Sequence, residues 1–453
     1  MTRTGSTQGA SRVGALAVVV SAGASPFLAQ TLSAITSQTC APDVVLVVDV
    51  ASRANGLGDG TPIEELVERS GLDATTAVRV VRAKEAKNFG DAVSRGLTAY
   101  AGLVAAGNRK RRSSEVVDGA EGSDADTTSS GPRTSVRDLL LSGSGPITGP
   151  TGALSPITAY EQRLVAPTEA APEMPEHQVW FWLLHDDSAP AEDCLERLLT
   201  AATNARSVGI VGPKQVGWDN PELLLEVGLR ATASARRAND IVPGEVDQGQ
   251  HDDRSDVLAV GTAGALIDRA VWEEIGGIAP WLGPFGDGLE FSRRMWLGEW
   301  RVVLEPGASV AHARIGLGED ERLSYGARRA AQAYNGVLAS SRLSYLFVFL
   351  AYVVGGPVRG FLRLLVKEPR LAVGELKASG RLVRMFGAIH AGRRRIARAR
   401  KAPESVLRSL EDRPGDVRRA RRDLKRARIE AVELAEDPGP LVQAELRRWR
   451  AST

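Results

Sequence analysis

The 453-residue sequence predicts an α/β fold: a Rossmann-like, mostly parallel sheet, interrupted by a disordered insertion and followed by a C-terminal helical region. Three observations carry that reading. Val13–Val20, Val44–Val48 and Val179–Leu184 are apolar runs of strand length without alternation, the pattern of strands covered on both faces. Apolar residues at helical spacing separate such runs, so the chain reads as βαβ units. Between about 105 and 177 the pattern stops, and Gly, Ser, Thr, Pro and Ala dominate. A structureless stretch that long inside a compact domain is a linker or a surface insertion.

In chain order, Val13–Val20 reads as a buried strand. Arg12 before it and Ser21-Ala22-Gly23-Ala24 after it also fit a signal-peptide core with its cleavage site. Phe27, Leu28, Leu32 and Ile35 mark a helix, and Val44–Val48 a second strand ending at Asp49. A strand at Val78–Val81 and a helix from Asp91 to about Leu103 precede the insertion. After Val179–Leu184 come a helix carrying Leu195, Leu198 and Leu199, a strand at Ser207–Gly212, and strand-like residues over Val257–Ile267. Helices at Ala270–Ile275 and Phe285–Leu297 and strands at Arg301–Leu304 and Ala308–His312 follow. Leu343–Val358 holds sixteen residues without a charge, short of the roughly 20 that span a bilayer, and Gly355-Gly356-Pro357 is expected to end that helix. Beyond it, Arg and Lys punctuate an apolar stripe to Ile389, as in a helix lying in a membrane surface or packing on the body or a second subunit. The chain thus divides into 13–340 (with 105–177 inserted), 341–392 as amphipathic membrane-associating helices, and 393–453 as a charged, solvated helical tail.

Composition excludes several classes. Two cysteines, Cys40 and Cys194, cannot form a disulfide framework or a cysteine-based zinc module. The net charge is only +2, but 393–428 alone holds fifteen Lys or Arg against five Asp or Glu. That concentration suits an anionic partner, lipid headgroups before nucleic acid, because 393–428 lacks aromatic residues to stack on bases.

Chemistry concentrates at strand ends, where ligands of α/β sheets bind. Asp186-Asp187 lies one residue beyond Val179–Leu184 and suits a divalent cation with its phosphates, although Asp-Asp-Ser before Pro190 is also a good helix start. Asp49 and His312 end other strands, and Asp287 and Glu290 share a helix face, with Arg293 and Arg294 as salt-bridge partners in a plain solvated helix.

The ordered set resembles the family 2 glycosyltransferases, inverting enzymes of GT-A fold that use nucleotide sugars, here of bacterial cell-envelope type. Gln38-Thr39 with Val47-Val48-Asp49-Val50-Ala51-Ser52, Lys87-Asn88-Phe89-Gly90 with Ala92, and Leu184-His185-Asp186-Asp187 are similar to its nucleotide- and metal-binding segments. Gly264–Arg269 with Ile275–Ile278, Gly286–Arg294, and Ser309–His312 are similar to its later segments. The resemblance covers about 13–105 and 178–340. It implies that Asp49, Ser52, Asn88 and Asp186 bind the nucleotide and that Asp187 and His312 hold Mn2+ or Mg2+. It also implies that an acid of 287–290 is the base for the acceptor hydroxyl, Asp287 first and Glu290 second. Gly288 stands where the family's catalytic Asp is expected.

The expected activity is transfer of a hexose or pentose from a nucleotide-sugar donor to a hydroxyl of a cell-envelope glycan or lipid-linked acceptor. The expected place is cytoplasmic, peripheral at the inner face of the cell membrane, with a homo-oligomer open and no nucleic-acid partner. Two alternatives stay open. Gly288 allows a degenerate nucleotide-sugar-binding or scaffold homologue without turnover. A sugar nucleotidyltransferase shares such a sheet, although Ser21–Pro26 lacks the Gly-rich turn and Lys those enzymes use for phosphates.

Overall fold

The computed structural model describes residues 13–51, 61–118, 178–238, 241–242, 244–283, 285–314, 321–420, 422, 423 and 426, the side chains of 107–118 and 321–324 excepted. The first half runs β1 (Gly14–Ser21), α1 (Leu28–Thr36), β2 (Val44–Asp49), α2 (Ile63–Ser70), α3 (Leu72–Thr75), β3 (Ala77–Arg82), α4 (Phe89–Asp118), β4 (Val179–His185), β5 (Ser188–Pro190) and α5 (Cys194–Thr203). Then follow β6 (Val208–Gly217), β7 (Leu224–Glu226), β8 (Arg230–Ala231), β9 (Arg237–Ala238), β10 (Leu266–Asp268), α6 (Arg269–Ile275), α7 (Asp287–Leu297) and β11 (Arg301–His312). Five helices close the order: α8 (Glu321–Leu338), α9 (Tyr345–Leu365), α10 (Pro369–Arg384), α11 (Phe386–Ala399) and α12 (Ser405–Arg408).

The main sheet has the order β3-β2-β1-β4-β10-β6-β11-β5, with β7 on β6. β1, β2, β3 and β4 are mutually parallel, as are β6 and β11, while β10 runs against both its neighbours. Alternate residues feed two cores. Leu16, Val18, Leu46, Val48, Phe181 and Leu183 face Val93 of α4 and Phe291 of α7. Ala17, Val19, Val45, Val47, Trp180 and Trp182 face α1, α2 and α5. This double coverage explains why these strands read as unbroken apolar runs. β1 lies in the sheet interior, which settles Val13–Val20 as strand rather than leader in this fold.

Register places the chemistry. Ser21 pairs with Asp49 and Val20 with His185, so three adjacent strands deliver their carboxyl ends to one edge. β5 turns back after Asp187 and pairs with β11, setting His312 opposite Ser188. The two strands expected at Arg301–Leu304 and Ala308–His312 are one strand, its ladder shifted between Glu305 and Ser309 by a bulge that carries Pro306-Gly307. Of the strand-like stretch Val257–Ile267, only its end joins β10, and Ala259 makes an isolated bridge to Leu229.

Three further expectations change. α4 continues to Asp118, so 105–118 of the expected insertion is helical, as its Ala, Arg and Lys content favours; residues 119–177 lie outside the described residues. α9 runs through Gly355-Gly356-Pro357 without a break. Tertiary packing overrides the local signal: Gly356 and Gly360 are buried against α10, and a Cβ on Gly356 would overlap Ser379 Oγ. The start of the charged tail is docked rather than solvated. Lys401 and Ala402 donate backbone N–H groups to Leu297 O, Arg293 pairs with Glu411 at 2.5 Å, and Ala399, Leu407 and Val417 are buried. Charge-rich sequence hides such docking, because every third or fourth residue is enough to make the contact.

Candidate metal and donor site

His185, Asp187 and His312 each offer one ligand atom, and the three atoms lie within 4.8 Å of one another. Asp187 Oδ1 lies 3.3 Å from His312 Nε2 and 4.0 Å from His185 Nδ1. The second nitrogen of each ring is engaged elsewhere: His185 Nε2 with Thr262 Oγ1 at 3.1 Å, His312 Nδ1 with Gln215 Oε1 at 3.1 Å. Donation of those outer N–H groups leaves the inner nitrogens as lone-pair donors, the arrangement found behind metal-ligating histidines. Burial and the neighbouring His312 push His185 down to about 4, against the pull of Asp187, so it is a neutral imidazole at physiological pH. Two imidazoles and a buried carboxylate fit a divalent transition ion such as Mn2+.

Asp186 holds the neighbouring turn. Its carboxylate accepts from Ser21 Oγ at 3.1 Å and Ala22 N at 3.4 Å, and its carbonyl from Thr31 Oγ1 at 2.9 Å. Burial and the adjacent Asp187 raise its pKa. Beside it opens a cavity of about 250 Å³, lined among others by Ala22, Val50, Asn88, His185 and Asp186, with Phe89 stacked on His185 at 4.2 Å. Asp49, buried at the end of β2, accepts from Ala51 N at 2.8 Å and faces Arg82 at 3.6 Å. Asn88 caps α4 by accepting from Asp91 N at 3.0 Å and donates to Pro280 O at 2.5 Å, strapping that helix to the segment before α7. Ser52 lies outside the described residues.

Sequence reasoning did not assign His185, Gln215, Thr262 or Arg314. His185 had a signal, an imidazole directly before Asp186-Asp187 at a strand end. Gln215 and Thr262 are ordinary residues until the fold places them behind the rings. Arg314 follows β11 with a left-handed backbone, φ 57°, a conformation costly for a side chain of its size and typical of functional sites. It reaches Gln215 Oε1 at 3.4 Å and feels both Asp187 and Glu226 electrostatically.

The two acids of α7 separate by environment. Glu290 is 2% exposed and holds Arg294, which is fully buried, with contacts of 2.7 and 2.8 Å; Arg294 also donates to Ile275 O and Gly277 O. Glu290→Ala is expected to cost about 3–5 kcal/mol by stranding that guanidinium, measured by denaturant unfolding. Asp287 sits in the first turn and accepts from Gly288 N at 2.8 Å. Burial raises it to about 6, backbone N–H donors oppose the rise, and Glu226 adds to it. At Gly288, a Cβ would overlap the carbonyl oxygen of Val260, so no side chain fits there without backbone movement. Gly288→Asp is therefore expected to lower the thermal midpoint and to add no activity, checked by a melting curve beside an activity assay.

Residues 158–334 match the model described as glycosyltransferase like family 2. The match runs from ahead of β4 into α8, and so takes in the His–Asp–His cluster and both α7 acids. It supports a glycosyltransferase, and the mixed α/β, mostly parallel sheet with C-terminal helices is of GT-A type. No curated protein matches the chain. Among solved structures, the chain is similar to GalNAc-T7 with UDP, GalNAc and Mn2+ (13% identity, TM-score 0.38, 71% of this chain and 51% of that one). It is also similar to the Pyrobaculum calidifontis mannosyltransferase PcManGT with GDP-Man and Mn2+ (14%, TM-score 0.41, 85% and 84%). A third is S. aureus TarS 1-349 (12%, TM-score 0.36, 87% and 90%). The chain thus spans about half the length of the first of these.

Proposed function

We propose that this chain is a metal-dependent, inverting glycosyltransferase that moves a hexose or pentose from a nucleoside diphosphate donor to an acceptor hydroxyl. The observation that carries this reading is the convergence of His185, Asp187 and His312, with His185 and the adjacent Asp186 also lining the cavity at the ends of β1, β2 and β4. Asp49 and Asp186 border the same strand edge and suit the nucleoside. Asp187 and His312, with His185, would hold Mn2+ or Mg2+. When bound, such an ion supplies Lewis-acid neutralisation of the charge that builds on the departing diphosphate. Arg314, which feels Asp187 electrostatically, adds positive charge from the protein side.

Asp287 is the base. Its carboxylate takes the acceptor hydroxyl proton as that oxygen bonds to the anomeric carbon and the bond to the diphosphate oxygen breaks. A single displacement of this kind inverts the anomeric centre. A carboxylate raised to about 6 by burial is ionised at neutral pH yet basic enough to accept the proton. The acceptor is an envelope glycan or lipid-linked saccharide, and the enzyme works as a peripheral protein at the inner face of the cell membrane.

Gly288 favours a second reading, a nucleotide-sugar-binding homologue without turnover. Incubating the 453-residue chain with a panel of nucleotide sugars and manganese separates the two. Release of nucleoside diphosphate, lost in Asp287→Asn, supports the transferase; binding of a donor without release by the native chain supports the other.

A further inference from the structure

We propose that the α9–α10 hairpin is a membrane-seating surface that lies in the plane of an anionic lipid leaflet. Phe347, Leu350, Val354, Val358, Phe361 and Leu365 are all exposed and recur every three or four residues, forming one stripe along α9. Leu343, two residues before it, is 91% exposed and Phe347 75%. α10 adds exposed Val373, Leu376 and Val383. Contiguous apolar surface of this extent on a folded chain marks a partner surface.

Charge identifies the partner. Residues 341–400 contain thirteen Lys or Arg and only two acids, Glu368 and Glu375. Glu375 is buried, and Arg342, Lys367, Arg370, Lys377 and Arg384 are all exposed beside the apolar residues. An apolar stripe rimmed by exposed positive charge complements acyl chains beneath anionic headgroups; a second copy of this chain would bring the same charges together.

The packing fixes the orientation. α9 is 21 residues long, about 31 Å at 1.5 Å per residue, and among the described residues it is the one helix long and apolar enough to cross a bilayer. Length therefore does not exclude a span; its neighbours do. The face opposite the stripe carries Gly356 and Gly360 against α10, and Arg359, whose Nε lies 3.0 Å from Glu375 Oε2. Arg329 of α8, 3.5 Å from the same oxygen, and Tyr325 of α8, bonded to Glu375, close the network. Crossing the bilayer would carry this network and the cations of α10 into hydrocarbon, where each is strongly disfavoured. Lying flat leaves the stripe in lipid and the network in protein. α8 also holds the catalytic edge, since Asn335 donates to Gly286 O at 3.1 Å, the residue before Asp287. Resting on the transferase reading, this places the acceptor in the same leaflet: a saccharide on a lipid.

The test is co-sedimentation of the full chain with vesicles of phosphatidylglycerol or of phosphatidylcholine, alongside thermal shift with UDP or GDP and Mn2+. Binding at least tenfold tighter to phosphatidylglycerol, weakened by 0.5 M salt on the order expected for screened headgroup contacts, is the expected result. The Phe347→Glu/Phe361→Glu double variant, altered only at exposed positions, is expected to lose at least tenfold in vesicle binding and to keep the nucleotide shift. No vesicle binding by the native chain, with a dimer in analytical ultracentrifugation, overturns the proposal in favour of a subunit interface. Retention in cell membranes through carbonate extraction overturns the in-plane arrangement. Vesicle binding without any nucleotide shift upholds the surface and removes the transferase reading on which the acceptor rests.

Discussion

Asp187→Ala is expected to abolish manganese-dependent binding of a nucleoside diphosphate, a loss of more than about 100-fold, since even groups behind metal ligands are worth 10–100-fold. Asp187 Oδ1 is the atom that both imidazoles face, at 3.3 and 4.0 Å, and the adjacent acid is not placed to replace it: Asp186 is turned to Ser21 and Ala22. Asp186→Ala is expected only to weaken binding, because it removes support for the turn and not a ligand. Titration calorimetry with manganese and UDP or GDP reads both. An Asp187 variant that binds like the native chain would move the metal elsewhere.

Asp287→Asn is expected to lower kcat by about 10²–10⁴, the usual worth of a positioned base, with little change in donor affinity. The pH profile carries the signature. A base raised to about 6 is protonated below that value, so kcat/KM of the native chain is expected to fall about tenfold per pH unit below pH 6 and to level off above it. The Asn variant should lose that acidic limb. The same group makes a stability statement of opposite sense. An acid whose folded pKa lies above its unfolded value favours folding below the unfolded pKa, near 3.8, and that contribution fades as pH rises through about 6. Asp287→Asn should therefore be no less stable than the native chain at pH 8. Residual activity within threefold of native would remove Asp287 from the chemistry.

The strands were legible because burial on both faces leaves a run such as Val44–Val48 no polar position, a signal local to five or six residues. Of the helices that cover them, α1 and α5 were legible by the spacing of their apolar residues, while the short α2 went unassigned. The C-terminal region was half legible. Its amphipathic stripe stood out, but Pro357 within α9 and the docking of Lys401 and Ala402 on α7 depend on contacts between distant segments, which local propensity does not record. In the site, Asp187 and His312 lie more than a hundred residues apart and were joined only through the resemblance to a family pattern. Distance in sequence also hid Gln215 behind His312 and Thr262 behind His185. The reverse held at Glu290: a carboxylate of the right spacing was legible as a candidate base, while its burial against Arg294 was not.

A thermal-shift screen of the full chain against nucleoside diphosphates, with and without manganese, tests the metal-dependent donor site most directly. A ligand at 100 times its Kd stabilises the native state by about 2.7 kcal/mol, several degrees in midpoint. The expected result is a rise with at least one nucleoside diphosphate in the presence of manganese that is absent without the metal and absent in Asp187→Ala. Midpoints unmoved by every nucleoside diphosphate with manganese present, or moved equally by manganese in native chain and Asp187→Ala, would contradict it.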